Sequence, residues 1–398
     1  MTRPENEQDV AAAIQSAAAA GTPLEVVGRG SKRGLGRPMQ TAASLDLSGL
    51  SGIALYEPEE LVMTARAGTP LAEVEQALAD KNQRLAFEPM DMGPLYGAPA
   101  NAASIGGVFA ANLSGPGRLR HGAARDHLLG FKGVNGRGEF FKSGSRVVKN
   151  VTGYDLSKVI CGSYGTLAAM TEVTFKVLPA PEKTRTVLIF GLDDARATEA
   201  MSAALGSPHE VVAAAHLPAS VSARSAVSYV SNAGRGVTAV RVEGPAPSAE
   251  HRCQALREEL ARFGETEELH GMNSATLWRE IRDAKPFVGD PRPLWRLSVA
   301  PTDGPKVINR IARTLQGEWF YDWGGGLVWL ALPVSSDAGA RLVRDAVEGG
   351  HASLIRADAA IRAAVPVFQP QPGPLAALAR RVKESFDPKA ILNPGRMG

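Results

Sequence analysis

The chain has 398 residues, of which 44% are hydrophobic and 21% are charged, and its formal net charge at pH 7 is +3. This balance is that of an ordinary globular protein, so it excludes a disordered chain, a disulfide-stapled miniprotein and a general nucleic-acid-binding protein. The length allows two or three domains of ordinary size.

The cysteine content and the hydropathy pattern indicate the cellular compartment. Cys161 and Cys253 lie far apart and have no metal-binding spacing, so we expect reduced, buried thiols. The first seven residues are polar and contain no apolar signal core. No apolar run reaches the length of about 18 residues that a membrane-spanning helix needs. These features predict a cytoplasmic protein.

The first predicted elements are a helix over Glu7–Ala20 and a short apolar strand over Leu24–Val27, followed by a glycine-rich turn over 28–36. This turn matches neither a P-loop nor the GxGxxG pattern of dinucleotide-binding folds. Ordinary tight turns explain its glycines. Alternatively, its backbone N–H groups and the side chains of Arg29 and Lys32 suit a diphosphate.

A second glycine-rich region contains 15 glycines between positions 93 and 165. It opens with residues 104–115, which combine Gly, Ala and Ser and carry almost no charge. We expect this segment to lay bare backbone along a flat ligand, while Asn112 and Ser114 supply directed hydrogen bonds.

The rest of this region holds two predicted strands over 129–134 and 139–142, and a third strand follows over 170–177. Between Arg118 and Lys149 there are eight basic and two acidic residues. A solvated basic face explains this excess, and so does a surface for an anionic ligand or an acidic partner. The sequence leaves both interpretations open.

The order of these motifs resembles that of the PCMH-type FAD-binding domain of the vanillyl-alcohol oxidase family. A shorter likeness covers residues 386–388 and 392–395 at the C-terminal end. Within the family, the chain is similar to the FAD-binding (E-type) subunits of bacterial glycolate oxidase, mainly through residues 146–155. The motifs that carry the resemblance lie at 28–32, 104–115, 122–126, 149–155 and 162–167.

The resemblance implies an α+β fold with three parts. Residues 1–180 would form a two-lobed PCMH-type FAD-binding domain. Residues 181–370 would form a ferredoxin-like α+β cap domain, in which predicted helices alternate with predicted strands over 186–190, 211–217, 237–242, 295–300, 326–332 and 353–356. Residues 371–398 would return towards the flavin.

The resemblance also implies a set of FAD-binding residues. Relatives that bind flavin covalently carry a histidine in the first loop, where this chain has Ser31 and Lys32. We therefore expect non-covalent FAD. The implied residues are Arg29, Gly30, Ser31, Lys32, Ile105, Gly106, Gly107, Asn112, Gly115, Gly122, Arg125, Asp126, Gly153, Tyr154, Thr166, Val173 and Asn393.

The expected catalytic residues are missing from the cap. Relatives that oxidise D-2-hydroxy acids carry histidines in a glycine-rich cap segment, and the corresponding segment here, 321–329, has none. The seven histidines of the chain show no metal-binding spacing, so we expect no metal site. No catalytic base is assigned, and Tyr154, His121 and Lys149 are weak candidates.

The resemblance therefore implies an FAD-binding subunit of a glycolate oxidase complex, which oxidises glycolate to glyoxylate. Electrons would pass through FAD to an iron–sulfur partner subunit, because two separated cysteines cannot hold a cluster. A second flavoprotein subunit would hold the substrate-oxidising site, and any membrane association would come through the partners. The alternatives are a free-standing FAD-dependent D-2-hydroxy-acid dehydrogenase and a non-catalytic flavin-binding assembly subunit.

Overall fold

A computed structural model describes residues 1–145 and 153–397. The predicted motif residues 146–152, which include Lys149, lie outside the described residues. The chain divides into two compact units. Unit 1 comprises Met1–Ser114, Gly122–Ala180 and Pro370–Gly398, whereas unit 2 comprises Gly115–His121 and Pro181–Gln369.

Unit 1 is built on an antiparallel sheet and two small strand pairs. Among its described residues, five strands form the sheet in the order β3-β4-β8-β6-β7. Strands β1 and β2 pair in parallel, and β5 pairs with β9. The strands are β1 (Leu24–Val27), β2 (Ala43–Asp46), β3 (Ile53–Glu57), β4 (Val62–Arg66), β5 (Gln83–Arg84), β6 (Leu128–Asn135), β7 (Phe140–Gly144), β8 (Ala168–Lys176) and β9 (Leu178–Pro179).

Among the described residues of unit 1, two apolar clusters pack its elements together. The first cluster packs the N-terminal helix against β1 and includes Ile14, Leu24 and Leu392. The second lies against the five-stranded sheet and includes Phe109 and Phe175, whose rings are 5.5 Å apart. The helices of unit 1 are Glu7–Ala20, Leu71–Ala79, Ile105–Ala111, Ala124–His127, Leu156–Ile160 and Gly373–Phe386.

The N-terminal helix Glu7–Ala20 begins and ends where its sequence predicts. The side chain of Asn6 accepts a hydrogen bond from the Asp9 amide and so caps the first turn. The helix ends at Gly21, whose φ of 61° lies in the left-handed region that a side chain would disfavour. Its apolar face is buried in the first cluster.

Unit 2 contains the strands β10 (Lys183–Phe190), β11 (Ala213–Leu217), β12 (Val237–Gly244), β13 (Thr266–His270), β14 (Leu294–Ser298), β15 (Glu318–Asp322), β16 (Leu327–Ala331) and β17 (His351–Arg356). Over the described residues 181–369, these eight strands form one antiparallel sheet in the order β13-β10-β12-β11-β15-β16-β14-β17. The helices are Arg118–His121, Asp194–Leu205, Ala219–Ser222, Ser228–Ser231, Ala246–Leu260, Gly271–Arg282, Gly304–Ala312, Ala340–Ala346 and Ala359–Ala364.

The strand order shows that the predicted ferredoxin-like pattern occurs twice. Strands β10 to β13 follow a βαββαβ sequence in which the first strand lies between the third and the fourth. Strands β14 to β17 repeat this arrangement. The two halves meet at β11 and β15 through the bridge between His216 and Tyr321. The sequence pattern predicts neither β13 nor β15, so it does not show this repeat.

Candidate functional site

Unit 1 contains an open cleft with about 710 Å³ of space, part of which is open to solvent. The walls come from the loop after β1, from one face of the helix Ile105–Ala111, from the turn before β8 and from the C-terminal tail. The lining residues are Val26, Val27, Gly28, Arg29, Gly30, Ser31, Lys32, Arg33, Leu47, Ala67, Ser104, Gly106, Gly107, Ala110, Ala111, Tyr164, Gly165, Ala168, Met170 and Arg396.

The loop after β1 provides hydrogen-bond donors to the cleft. Within the described residues, the backbone N–H groups of 28–32 donate to no protein acceptor, whereas those of Arg33 and Leu35 close turns onto Gly30 and Lys32. Gly30 has a φ of 80°, which bends the chain in a way that disfavours a side chain. Consecutive free N–H groups on a bent backbone form a concave site for anions. This loop is therefore suited to hold phosphate oxygens.

The side chain of Lys32 adds a cation to the same wall. Lys32 is only 9% exposed, and its Nζ has no hydrogen-bond partner in the described structure. Burial lowers the pKa of Lys32 to about 8, although the negative charge of Asp91 opposes this change. A buried amine without an acceptor is costly, because it has lost its hydration and gained no partner. An anion bound in the cleft would supply the missing acceptor.

The two arginines of this loop, Arg29 and Arg33, differ in their hydrogen bonding and exposure. Arg33 forms a bidentate pair with Glu25, with Nε–Oε1 and Nη2–Oε2 distances of 2.8 and 2.9 Å. Ser44 donates to the same carboxylate over 3.1 Å. Arg29, by contrast, is exposed at the rim. Arg33 therefore anchors the loop to β1, and Arg29 keeps its guanidinium accessible.

Residues Ile105–Ala111 form a helix, which differs from the bare backbone predicted from the sequence. Ser104 caps the helix by accepting a hydrogen bond from the Gly107 amide over 3.3 Å, and the amide of Gly106 donates to the carbonyl of Ala67 over 2.9 Å. These amides are already engaged. Gly106, Gly107, Ala110 and Ala111 thus give the cleft a smooth wall of small residues, and not a row of donors.

The C-terminal tail closes the base of the cleft. Asn393 is 1% exposed, and its Oδ1 accepts from the Val26 amide over 2.7 Å. Its Nδ2 donates to the carbonyl of Tyr164 over 2.7 Å, next to Gly165. Arg396 donates to the carbonyls of Lys32 and Leu35 over 2.7 and 3.2 Å. The C-terminal tail thus holds β1 and the loop after it in place through the hydrogen bonds of Asn393 and Arg396.

Four residues predicted for the site form a separate group that does not line the cleft. The Asn112 side chain accepts from the Arg125 amide over 3.0 Å, and Asp126 accepts from the Ala123 amide over 2.8 Å. Gly122 has a φ of 85°, and a Cβ there would lie 3.1 Å from Asp126. These contacts hold the segment between the helix Ile105–Ala111 and β6 in a defined conformation.

The other predicted site residues also lie outside the lining. Ile105 and Val173 are fully buried in the second apolar cluster, and Thr166 donates to the carbonyl of Ser163 over 2.7 Å. Tyr154 is exposed, as is its neighbour Gly153. Gly115 belongs to unit 2, where its carbonyl accepts from the indole of Trp323 over 3.0 Å.

The cleft therefore gathers Arg29, Gly30, Ser31, Lys32, Gly106 and Gly107 from the predicted set. Ser104, Tyr164 and Arg396 were not predicted as site residues. Tyr164 has a φ of 55° and precedes Gly165, which has a φ of 72°. The sequence could have indicated Tyr164, because it lies inside the last glycine-rich motif, 162–167. The sequence indicated Arg396 only weakly, because it lies three residues after the predicted site residue Asn393.

The glycine-rich segment of unit 2 forms the hairpin between β15 and β16. Arg118 and Arg296 stack on Trp323, with guanidinium carbons 4.4 and 4.9 Å from the ring centroid. Tyr321 donates to Asp194 over 2.7 Å. Among the described residues no group of three or more His, Cys, Asp or Glu side chains is arranged to hold a metal ion.

The described basic residues of the 118–149 stretch are divided between the two units. Arg118 and Arg120 belong to unit 2, and Lys132 belongs to unit 1. Arg120 pairs with Glu210 at 2.8 Å, while Lys132 pairs with Glu172 at 3.0 Å. Glu210 and Glu172 therefore each neutralise one charge of this excess.

Within the described residues, no helix has both the length and the apolar composition needed to cross a bilayer.

Comparison with known proteins extends these observations. Residues 1–144 match the family described as "FAD binding domain". The chain is 36% identical over 377 residues to glycolate oxidase subunit GlcE of Escherichia coli (strain K12), and the match covers 94% of this chain and 93% of that protein. It is 28% identical to glycolate oxidase subunit GlcD of Bacillus subtilis (strain 168), over 43% of this chain and 33% of that one.

The solved structures support the same fold. The structure of 4-ethylphenol oxidase from Gulosibacter chungangensis superposes with a TM-score of 0.71 at 15% identity, and the alignment covers 99% of this chain and 88% of that one. At this identity the likeness concerns the fold alone. The near full-length match to GlcE carries the assignment further, and it confirms the predicted resemblance. The chain belongs to the GlcE family of FAD-binding glycolate oxidase subunits.

Proposed function

We propose that this chain is the FAD-binding subunit of a glycolate-oxidising complex, with unit 1 as its flavin domain and unit 2 as its cap domain. The observation that carries the proposal is the cleft of unit 1. It combines free backbone N–H groups at 28–32, the unpaired ammonium of Lys32 and a smooth wall at Gly106 and Gly107. These features fit the diphosphate and the flat ring of FAD.

In this proposal the loop, the helix face and the C-terminal tail that form the cleft have different roles. The loop at 28–32 binds the diphosphate through its backbone N–H groups, and Arg29 adds a cation at the rim. The face formed by Gly107 and Ala110 lets a planar ring approach closely. The tail residues Asn393 and Arg396 hold the loop in shape through the contacts described above. When bound, FAD would accept the two electrons that leave the 2-hydroxy acid at the partner's oxidising site, as glycolate becomes glyoxylate there, and would pass them on.

The partners follow from the same proposal. Electrons leave through an iron–sulfur subunit, and a second flavoprotein subunit holds the substrate-oxidising site. The support is the likeness to GlcE, whose name is that of a subunit of glycolate oxidase. The sequence adds that the glycine-rich segment 321–329 contains no histidine.

Gly107→Leu tests the cleft as the flavin site. A Cβ at Gly107 meets only Ser104 Oγ, at 3.2 Å, so a leucine side chain extends along the wall of the cleft. We expect FAD content of the purified variant, measured from flavin absorbance, to fall at least about tenfold. The thermal midpoint of the apoprotein should change little. Gly373→Leu is the matched control, because a Cβ there meets nothing within 4 Å. Normal FAD content in Gly107→Leu would place the flavin elsewhere.

The subunit assignment needs a test of activity in the native context. A tagged chain isolated from its own cells should carry an iron–sulfur protein and a second flavoprotein, and the assembly should reduce an artificial acceptor with glycolate. The isolated chain, loaded with FAD, should not. Glycolate oxidation by the isolated chain would identify a free-standing dehydrogenase. An assembly that keeps its activity when this chain lacks FAD would identify a non-catalytic assembly subunit.

A further inference from the structure

Lys32 differs from the other cations around the cleft because it has no acceptor. The guanidinium of Arg33 is paired with Glu25, and that of Arg396 is bonded to the carbonyls of Lys32 and Leu35. Arg29 is exposed to water. Only the Nζ of Lys32, among these four within the described structure, is both buried and without a hydrogen bond.

The surroundings of Lys32 do not compensate its charge fully. Asp91 is the acidic group that acts on it, and its two carboxylate oxygens accept from the amides of Gly93 and Asn101. The tyrosines Tyr96 and Tyr164 also lie near this part of the cleft and interact with Arg396. Burial outweighs the attraction of Asp91, and the pKa of Lys32 in the free protein is about 8. A bound anion would reverse this balance, because it favours the protonated amine.

We infer that Lys32 couples proton uptake to FAD binding: its amine receives the FAD diphosphate as an ammonium ion and takes up a proton when the cofactor binds above neutral pH. The inference rests on the proposed function, since it assigns a role within the same cleft. It also follows from position, because Lys32 lies in the loop whose free N–H groups form the anion site. The proton comes from solvent and stays on Nζ while the cofactor is bound.

The sign of the pH dependence follows from this coupling. Below the pKa of about 8 for free Lys32, the amine is already charged, so Lys32 contributes no pH dependence to FAD affinity. Above that pH the free amine is neutral, and binding must first recruit a proton. The dissociation constant should then rise by about tenfold per pH unit, until the higher pKa of the bound state is reached.

The experiment uses the full-length apoprotein and measures FAD affinity from quenching of flavin fluorescence between pH 7 and about pH 9.5, below the range in which ordinary tyrosines titrate. Calorimetry in two buffers of different ionisation enthalpy counts the protons taken up at pH 9. We expect about one proton per FAD for the unchanged chain. Lys32→Met should bind FAD roughly 10- to 100-fold more weakly at pH 7, with no uptake of protons. Lys32→Arg should restore part of the affinity and remain independent of pH.

Two comparisons make the test specific. Lys81→Met is the matched control, because Lys81 is exposed and does not line the cleft. It should behave like the unchanged chain. ADP, which has the diphosphate without flavin, should show the same proton uptake, whereas riboflavin should show none.

The outcomes separate this inference from the proposed function. FAD binding that is independent of pH up to 9.5, or that is unaffected by Lys32→Met, would overturn the role of Lys32 while the flavin site stands. Proton uptake with riboflavin and none with ADP would overturn the diphosphate assignment. A chain that binds no FAD at any pH would instead contradict the proposed function.

Discussion

The tail residue Asn393 gives the sharpest test of how the cleft is held in shape. Its side chain accepts from the Val26 amide and donates to the carbonyls of Tyr164 and Val26, over 2.7, 2.7 and 3.3 Å. Its own φ is 43°, a left-handed conformation that Asn tolerates better than most residues. Replacing Asn393 by Ala therefore removes three hydrogen bonds and adds backbone strain at one position.

The cost can be worked out from these contacts. The buried Val26 amide is left without this acceptor, which costs about 1–3 kcal/mol, and each lost bond to a carbonyl costs about 0.5–1.5 kcal/mol. The left-handed conformation adds about 1 kcal/mol for Ala. Asn393→Ala should thus lower the free energy of unfolding by roughly 3–7 kcal/mol. For a unit of this size the thermal midpoint falls by on the order of 10 °C.

Calorimetry or thermal circular dichroism of the apoprotein measures this effect, and FAD titration measures its consequence for the loop after β1. Asn101→Ala is the matched control. Asn101 is also left-handed, with a φ of 57°, but its side chain is exposed. It should lose only about 1 kcal/mol. If Asn393→Ala is no more destabilising than Asn101→Ala, the tail does not hold the cleft in the way described.

Two further predictions concern packing and acid stability. Gly106→Ala should destabilise unit 1 by about 1–3 kcal/mol in urea unfolding, because the new Cβ would lie 2.7 Å from the Cβ and carbonyl oxygen of Ala67; an unchanged midpoint would show that the helix can shift away. In unit 2, burial raises the pKa of Asp194, but the nearby imidazole of His216, whose Nε2 lies 3.6 Å from the carboxylate, and the hydrogen bond from Tyr321 outweigh it and leave this pKa below its ordinary value. The stability that these contacts provide is therefore present above about pH 4 and is lost as the pH falls through the lowered pKa. Tyr321→Phe should cost about 1.5–3 kcal/mol at pH 7, with the difference from the unchanged chain shrinking below pH 4, and a difference that stays constant with pH would contradict this account of Asp194.

Local patterns in the sequence were sufficient for several elements. The helix Glu7–Ala20 and β1 were predicted at their observed bounds, because the apolar period and the flanking Asn6 and Gly21 act within a few residues. Strands β10 and β12 were also found, with ends that differ by a few residues. The glycine-rich loop at 28–36 was identified as a feature suited to a diphosphate.

The sequence could not show which backbone groups are free to bind. Gly30 and Gly107 both lie in glycine-rich segments, so the sequence does not distinguish them. In the structure, the amide of Gly107 donates to Ser104, whereas the amide of Gly30 has no protein acceptor within the described residues. Helix propensity argued against a helix at Ile105–Ala111, because adjacent glycines disfavour it. The close approach of Gly106 to Ala67, 39 positions earlier in the chain, overrides that preference.

The sequence by itself determined the family, several local elements and the loop that carries Lys32, since these depend on residue order and short-range periodicity. Tertiary structure alone decided that Lys32 is buried without an acceptor. It also decided that the side chains of Asn112 and Asp126 accept hydrogen bonds from backbone amides beside the cleft and do not line it. Likewise, only the tertiary structure shows that Asn393 accepts a hydrogen bond from Val26 in β1. The physical reason is that burial and hydrogen-bond pairing depend on contacts between residues far apart in the chain. Asn393 and Val26 are separated by 367 positions, and no local pattern records that they meet.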